Sequence, residues 1–169
     1  RLAVVAGMTV ILLRPMVIAP APAKIGKSVF TVLVDGSRSM ATTDVAGRAR
    51  FEVVREQLEH AERELFLALR NQYDVRFALF SDSLGRAPFD QILVSTPDQS
   101  AHTDIATTLM NAGQEAPGVR HAGILLISDG RDNNGRDPLA AATYLRASGV
   151  PVWTTTVGTT DETKDLVVT

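Results

Sequence analysis

The chain of 169 residues contains no cysteine, which excludes disulfides, thiolate zinc sites and cysteine nucleophiles together while leaving the compartment undecided. Only three histidines are present, so any chemistry has to be built mainly from oxygen. No glycine-rich phosphate loop of either standard spacing occurs, and no Gly-x-Ser-x-Gly elbow. A basic excess is missing as well. Of 17 Lys and Arg, four (Arg1, Arg14, Lys24 and Lys27) precede Ser28, which leaves 13 against 19 Asp and Glu and a formal charge of −6 beyond that point. A nucleic-acid partner is disfavoured, because it requires a basic face.

What is present fits one globular domain. The composition is 45% hydrophobic and 21% charged, enough apolar material for a single core at this length. Ahead of that domain, Leu2 to Leu13 carries no charge between Arg1 and Arg14. At ~1.5 Å per residue, a helix of that length falls short of a ~30 Å hydrocarbon core. Residues 1–14 are therefore expected to be the tail of a truncated transmembrane helix, with a buried helix or a signal-peptide core as alternatives. Pro15, Pro20 and Pro22 make residues 15–27 a stiff juxtamembrane spacer. Basic residues flank both sides of the apolar run, so orientation across the membrane stays open. The domain proper is expected over residues 28–158, with 159–169 opening a linker or a following module.

"SVFTVLVD" (Ser28 to Asp35) is a continuous β-branched apolar run, the pattern of a strand buried on both faces of a parallel sheet. From Ala49 to Arg70, Phe51, Val54, Leu58, Ala61, Leu65 and Leu69 recur every three or four residues, opposite Glu52, Arg55, Glu56, Glu59, Glu62 and Arg63. That spacing predicts an amphipathic helix with a solvated charged face. Tyr73 to Phe80 and "QILVS" (Gln91 to Ser95) are expected strands, the second antiparallel at an edge. A helix over Thr103 to Glu115, a buried strand over Ala122 to Ser128, a helix over Pro138 to Ser148 and a strand over Val150 to Val157 complete the order. Trp153, inside the last strand, is expected in the core. The fold class is α/β: a mostly parallel, doubly wound, Rossmann-like sheet with one antiparallel edge strand and helices on both faces.

Five polar residues fall at telling places. Asp35 ends the first buried strand, Ser37 and Ser39 follow it at alternate positions, Thr103 opens a helix, and Asp129 ends the second buried strand. Each alone is explained as a turn residue or helix cap. Together they lie where open α/β sheets bind ligands, at the carboxyl ends of strands flanking a topological switch point. Other polar residues carry less: "DGRDNNGRD" fails as a calcium loop, since Arg131 and Ala140 occupy ligand positions. Asp132, Asn133 and Asn134 are left as turn residues or as the rim of the site, and His60, His102 and His121 carry no catalytic signal.

"DGSRSM", Thr103 in "HTDIATTL" and Asp129 in "ISDGRDN" resemble the von Willebrand factor type A (VWA) domain, whose metal-ion-dependent adhesion site (MIDAS) is written Asp-x-Ser-x-Ser, then Thr, then Asp. The resemblance covers about residues 28 to 158 and is nearest to the membrane-anchored bacterial branch of that family. One departure is that "GTTDETKDLVVT" stands where a closing helix is usual. The resemblance implies a metal held by Asp35, Ser37, Ser39, Thr103 and Asp129, with the two aspartates acting largely through bound water. An all-oxygen donor set suits Mg²⁺, with Mn²⁺ or Ca²⁺ as alternatives, and suits zinc or copper poorly. The implied partner is a protein that donates an Asp or Glu to the ion. A further implied association is with AAA-type ATPases of the MoxR group in the bacterial cell envelope.

Two other classes stay open at this level. Phosphatases of the haloacid dehalogenase class also place an aspartate after the first strand, but they need a second carboxylate two residues on, where this chain has Ser37. A metal that only staples loops together is the other.

Overall fold

The computed structural model describes residues 26–98, 102–114 and 119–159. Strand β1 (Val29–Asp35) alternates its side chains between two cores. Leu33 joins one apolar cluster while Val32 and Val34 join the other, as the two-residue period of a strand dictates. A 3₁₀ turn (Arg38–Ala41) follows, pinned by the fully buried Met40. Helix α1 (Arg50–Ala61) runs through a π-helical turn (Glu62–Phe66) into α2 (Leu67–Gln72). Strands β2 (Asp74–Phe80) and β3 (Leu84–Arg86), helices α3 (Phe89–Val94) and α4 (Ile105–Gly113), strand β4 (His121–Ser128), helix α5 (Pro138–Ala147) and strand β5 (Val152–Thr156) complete the order.

The five strands form one sheet in the order β3-β2-β1-β4-β5. Every pairing is parallel except β2 with β3. Helices α1 to α3 cover one face around Phe51, Val54, Leu58, Phe66 and Ile92, and α4 and α5 cover the other around Ile105, Leu109 and Leu145. The expected fold class is the observed one. β1 neighbours β4 directly, with Val34 paired to Ile127. Asp35 and Ser128 therefore reach the same end of the sheet, at the point where the chain order reverses.

Three local expectations are corrected. The antiparallel edge strand is Leu84–Arg86, while "QILVS" lies almost wholly within α3. The reason is its period: Phe89 and Ile92, three apart, turn inward while Val94 is exposed, a helical rather than an alternating pattern. In the long helix the π turn inserts an extra residue per turn, so Phe66 is 1% exposed and Leu65, expected in the core, is 51% exposed. Trp153 is not a core residue but half exposed, on the edge strand β5. Its ring lies 5.9 Å from that of Phe30 and over Gly123, where an added Cβ would stand 2.3 Å from Trp153 Cζ3.

Among the described residues no helix is long and apolar enough to cross a membrane. The expected transmembrane tail (1–14), most of the proline-rich spacer and nearly all of 159–169 lie outside the described residues.

Candidate metal centre

Asp35 leaves β1 fully buried. One carboxylate oxygen, Oδ1, accepts the backbone N–H of Ser37 at 2.9 Å. The other, Oδ2, accepts the hydroxyl of Ser128 at 2.5 Å, which ties the ends of β1 and β4 together. Burial pushes the Asp35 carboxyl above its usual range; the Ser128 and Ser37 hydrogen bonds pull it back, and the charge of Asp129 pushes it up again. Two carboxylates thus share a dry corner of the molecule. Such a pair calls for positive charge, part of which Arg50 supplies at Asp129.

The loop after Asp35 is held rigidly. Gly36 donates its N–H to Phe80 O at 2.8 Å and accepts from Asp98 N–H at 2.6 Å. Glycine is needed there because a Cβ would meet Leu79 Cγ at 2.8 Å. Ser37 precedes the 3₁₀ turn without spending its side chain on a cap. Its hydroxyl instead faces that of Ser39 at 3.0 Å. The simple reading of these serines as turn formers therefore misses what their oxygens do.

Thr103 is likewise not the cap of its helix. Asp104 is, accepting Thr107 N–H at 2.8 Å. Burial raises the Asp104 carboxyl, but hydrogen bonds from Thr107 and Asn134 outweigh it, and the group sits below its ordinary value. Thr103 is buried, and its backbone is clasped on both sides by Asn133, whose Oδ1 accepts Thr103 N–H at 2.7 Å and whose N–H donates to Thr103 O at 3.3 Å. Asn134 Nδ2 donates to Asp104. Asn133 and Asn134 thus join the Thr103 loop to the loop that carries Asp129. Asp132 makes the local turn, accepting Asn134 N–H at 3.0 Å.

Asp129 follows β4 with both oxygens engaged. Oδ1 accepts Arg131 N–H at 3.0 Å, and Oδ2 accepts Arg50 Nη1 at 2.6 Å. Arg50 also grips Asp44, Nε lying 2.9 Å from Oδ1 and 3.1 Å from Oδ2, with Nη2 on Oδ2 as well. The Arg50 hydrogen bonds hold the Asp44 carboxyl down to about 2, and Asp44 chiefly, with Asp129, raises the Arg50 guanidinium. Arg50, Asp44, Ser128, Asp104 and the two asparagines were not among the five expected site residues. Arg50 did leave a trace in the sequence: a basic residue beginning a helix opposes the positive helix end.

Among the described residues no three His, Cys, Asp or Glu side chains gather so as to hold an ion. A cation here would depend on hydroxyls as well as carboxylates. The residue types fit one: a buried carboxylate at the end of β1, a second just beyond β4, two serine hydroxyls facing each other and a buried threonine on a braced loop are all oxygen donors of the kind a hard divalent ion takes.

Comparison with known protein families gives no match, and comparison with curated proteins gives none either. Solved structures do match. The chain is similar to proximal thread matrix protein 1 of the mussel byssus, with TM-score 0.56 and 19% identity over 76% of this chain and 37% of that one. A further structure of that protein, with a zinc-occupied MIDAS motif, gives TM-score 0.57 at the same identity and coverage. The manganese-loaded TRAP protein of Plasmodium vivax gives 0.54 at 16% identity, over 78% of this chain and 57% of that one. The RO protein of Deinococcus radiodurans gives 0.52 at 14% identity, over 79% and 32%. The chain thus spans from about a third to under three fifths of the length of these structures. At such identities the likeness is one of fold alone, a VWA-like sheet that is parallel except for one antiparallel pair.

Proposed function

We propose that this domain is a divalent-cation-dependent protein-interaction module, and not an enzyme, in which Asp35, Ser37, Ser39, Thr103 and Asp129 hold the ion. The observation that carries the reading is the fully buried Asp35, bonded to Ser37 N–H and Ser128 at the β1–β4 switch point with a second carboxylate, Asp129, raising its proton affinity. When bound, the ion would supply a positive centre that an outside carboxylate can complete. Three of its five holders are neutral hydroxyls, so the ion's charge is only partly quenched. The partner is accordingly a protein presenting Asp or Glu.

Mg²⁺ is the proposed resident ion, with Mn²⁺ or Ca²⁺ as alternatives. The zinc-occupied MIDAS motif of the mussel protein and the manganese loading of the Plasmodium protein support a divalent-ion site on this fold. For the whole protein we propose a bacterial membrane-anchored setting in the cell envelope, with a MoxR-type AAA ATPase system as a partner. These proposals rest on the membrane-proximal sequence and the family resemblance.

The test is capture of partners from solubilised membranes on the immobilised chain, with Mg²⁺, with chelator, and with Asp35→Ala. Partners retained only by the wild-type chain in Mg²⁺ support the proposal. Partners retained equally under chelator would refute it. If Asp35→Ala or chelation lowers the melting temperature sharply while partner capture persists, the ion is a structural staple instead.

A further inference from the structure

Arg50 is 5% exposed and begins α1, where the aligned peptide dipoles make the helix end positive. The element that carries this cation therefore repels it, and two carboxylates hold it in place: Asp44 through a two-pronged grip on Nε and Nη2, and Asp129 at 2.6 Å from Nη1. Gly158, at φ +124°, closes over the guanidinium from the end of β5; a Cβ there would stand 2.9 Å from Arg50 Nε. The Asp129 side chain is 1% exposed, so the pair is shielded from water. Shielded charges act on one another far more strongly than charges at the surface.

We propose that Arg50 is an internal competitor of the divalent ion: its guanidinium neutralises Asp129 and thereby sets how tightly the site of Asp35, Ser37, Ser39, Thr103 and Asp129 holds the ion. This rests on the reading of those five residues as a metal site. A guanidinium and a divalent ion drawing on one carboxylate repel each other, so the charge of Arg50 lowers ion affinity. Asp44 works in the opposite sense. Its carboxylate, bound to Nε and Nη2 of the same guanidinium, offsets part of the positive charge that Arg50 presents to Asp129. Arg50 and Asp44 thus form a pair of positioning residues with opposite effects on the same equilibrium, a signature that a purely structural ion pair would not produce.

The experiment is calorimetric titration of Mn²⁺ alone into the full chain and into Arg50→Gln, Arg50→Lys and Asp44→Asn, with melting measured in chelator and in Mn²⁺. Arg50→Gln is expected to bind Mn²⁺ more tightly, on the order of tenfold, Asp44→Asn more weakly, and Arg50→Lys close to wild type. In chelator Arg50→Gln is expected to melt lower, because Asp129 loses its partner, and Mn²⁺ should recover more of that loss than it adds to the wild type. A folded Arg50→Gln chain with unchanged or weaker affinity overturns the inference while leaving the metal site standing. If Arg50→Gln does not fold, the other two variants decide, and tighter binding by Asp44→Asn overturns it. A wild-type chain that takes up no Mn²⁺ overturns both this inference and the functional proposal beneath it.

Discussion

Asp35 holds a carboxylate where no solvent reaches it, and burial works against its charge. Asparagine is nearly the same shape and can still accept from Ser37 N–H and bond to Ser128. Asp35→Asn is therefore expected to melt at the same temperature as the wild type or a few degrees higher in chelator, and to lose Mn²⁺ binding; a clear drop in melting temperature would contradict the account of Asp35 as strained by its charge. Asp44 has the opposite sign. Its carboxyl lies at about 2 in the folded chain against an ordinary 3.8, so it contributes stability above about pH 3.8 that is lost as pH falls through about 2. Acid denaturation of wild type and Asp44→Asn should differ above that window and converge below it. The grouping of Asp35, Ser37 and Ser39 at one strand end was legible because their spacing after a buried strand is local. The pairing of Arg50 with Asp129 spans 79 positions, and sequence preserves only its faint trace at the start of a helix. Asp104 hid behind Thr103 because both are good caps and only the three-dimensional turn decides between them.

Among the elements, the long helix from Arg50 to Gln72 shows how one turn redirects a pattern. The apolar repeat from Phe51 to Leu58 predicts its buried face correctly, but the π turn rotates the chain so that Phe66 meets Phe77 edge-on at 5.0 Å and Leu65 turns outward. Nothing in hydrophobic periodicity announces an inserted residue, because neighbouring leucine and phenylalanine satisfy either register. The two positions separate cleanly by mutation. Phe66→Ala is expected to cost about 3–5 kcal/mol, as for other buried aromatics, and Leu65→Ala within about 0.5 kcal/mol, both measured by chemical denaturation. Equal effects would contradict the π-turn register. The misassigned "QILVS" has a related cause: its run of three apolar residues, Ile92 to Val94, fits a short helix or a strand, and Pro88 precedes the first helical residue.

For the molecule as a whole, the alternation of buried strands and amphipathic helices was enough to specify a doubly wound parallel sheet, because a parallel pair requires a crossover and a crossover requires a helix. The hairpin at β2 and β3 and the exposed edge at β5 were less legible, since short edge strands carry little hydrophobic pattern of their own. What the architecture supplies is convergence: β1, β4 and two braced loops bring oxygen-bearing side chains from separate parts of the chain to one end of the sheet. The most direct measurement of the central claim is a crystal structure of the chain grown with Mn²⁺ and phased to show anomalous scattering. The account predicts one strong peak in contact with Ser37 and Ser39 and adjacent to Asp35, Thr103 and Asp129, absent from crystals of Asp35→Asn. A peak elsewhere, or none among these five side chains at saturating Mn²⁺, would contradict it.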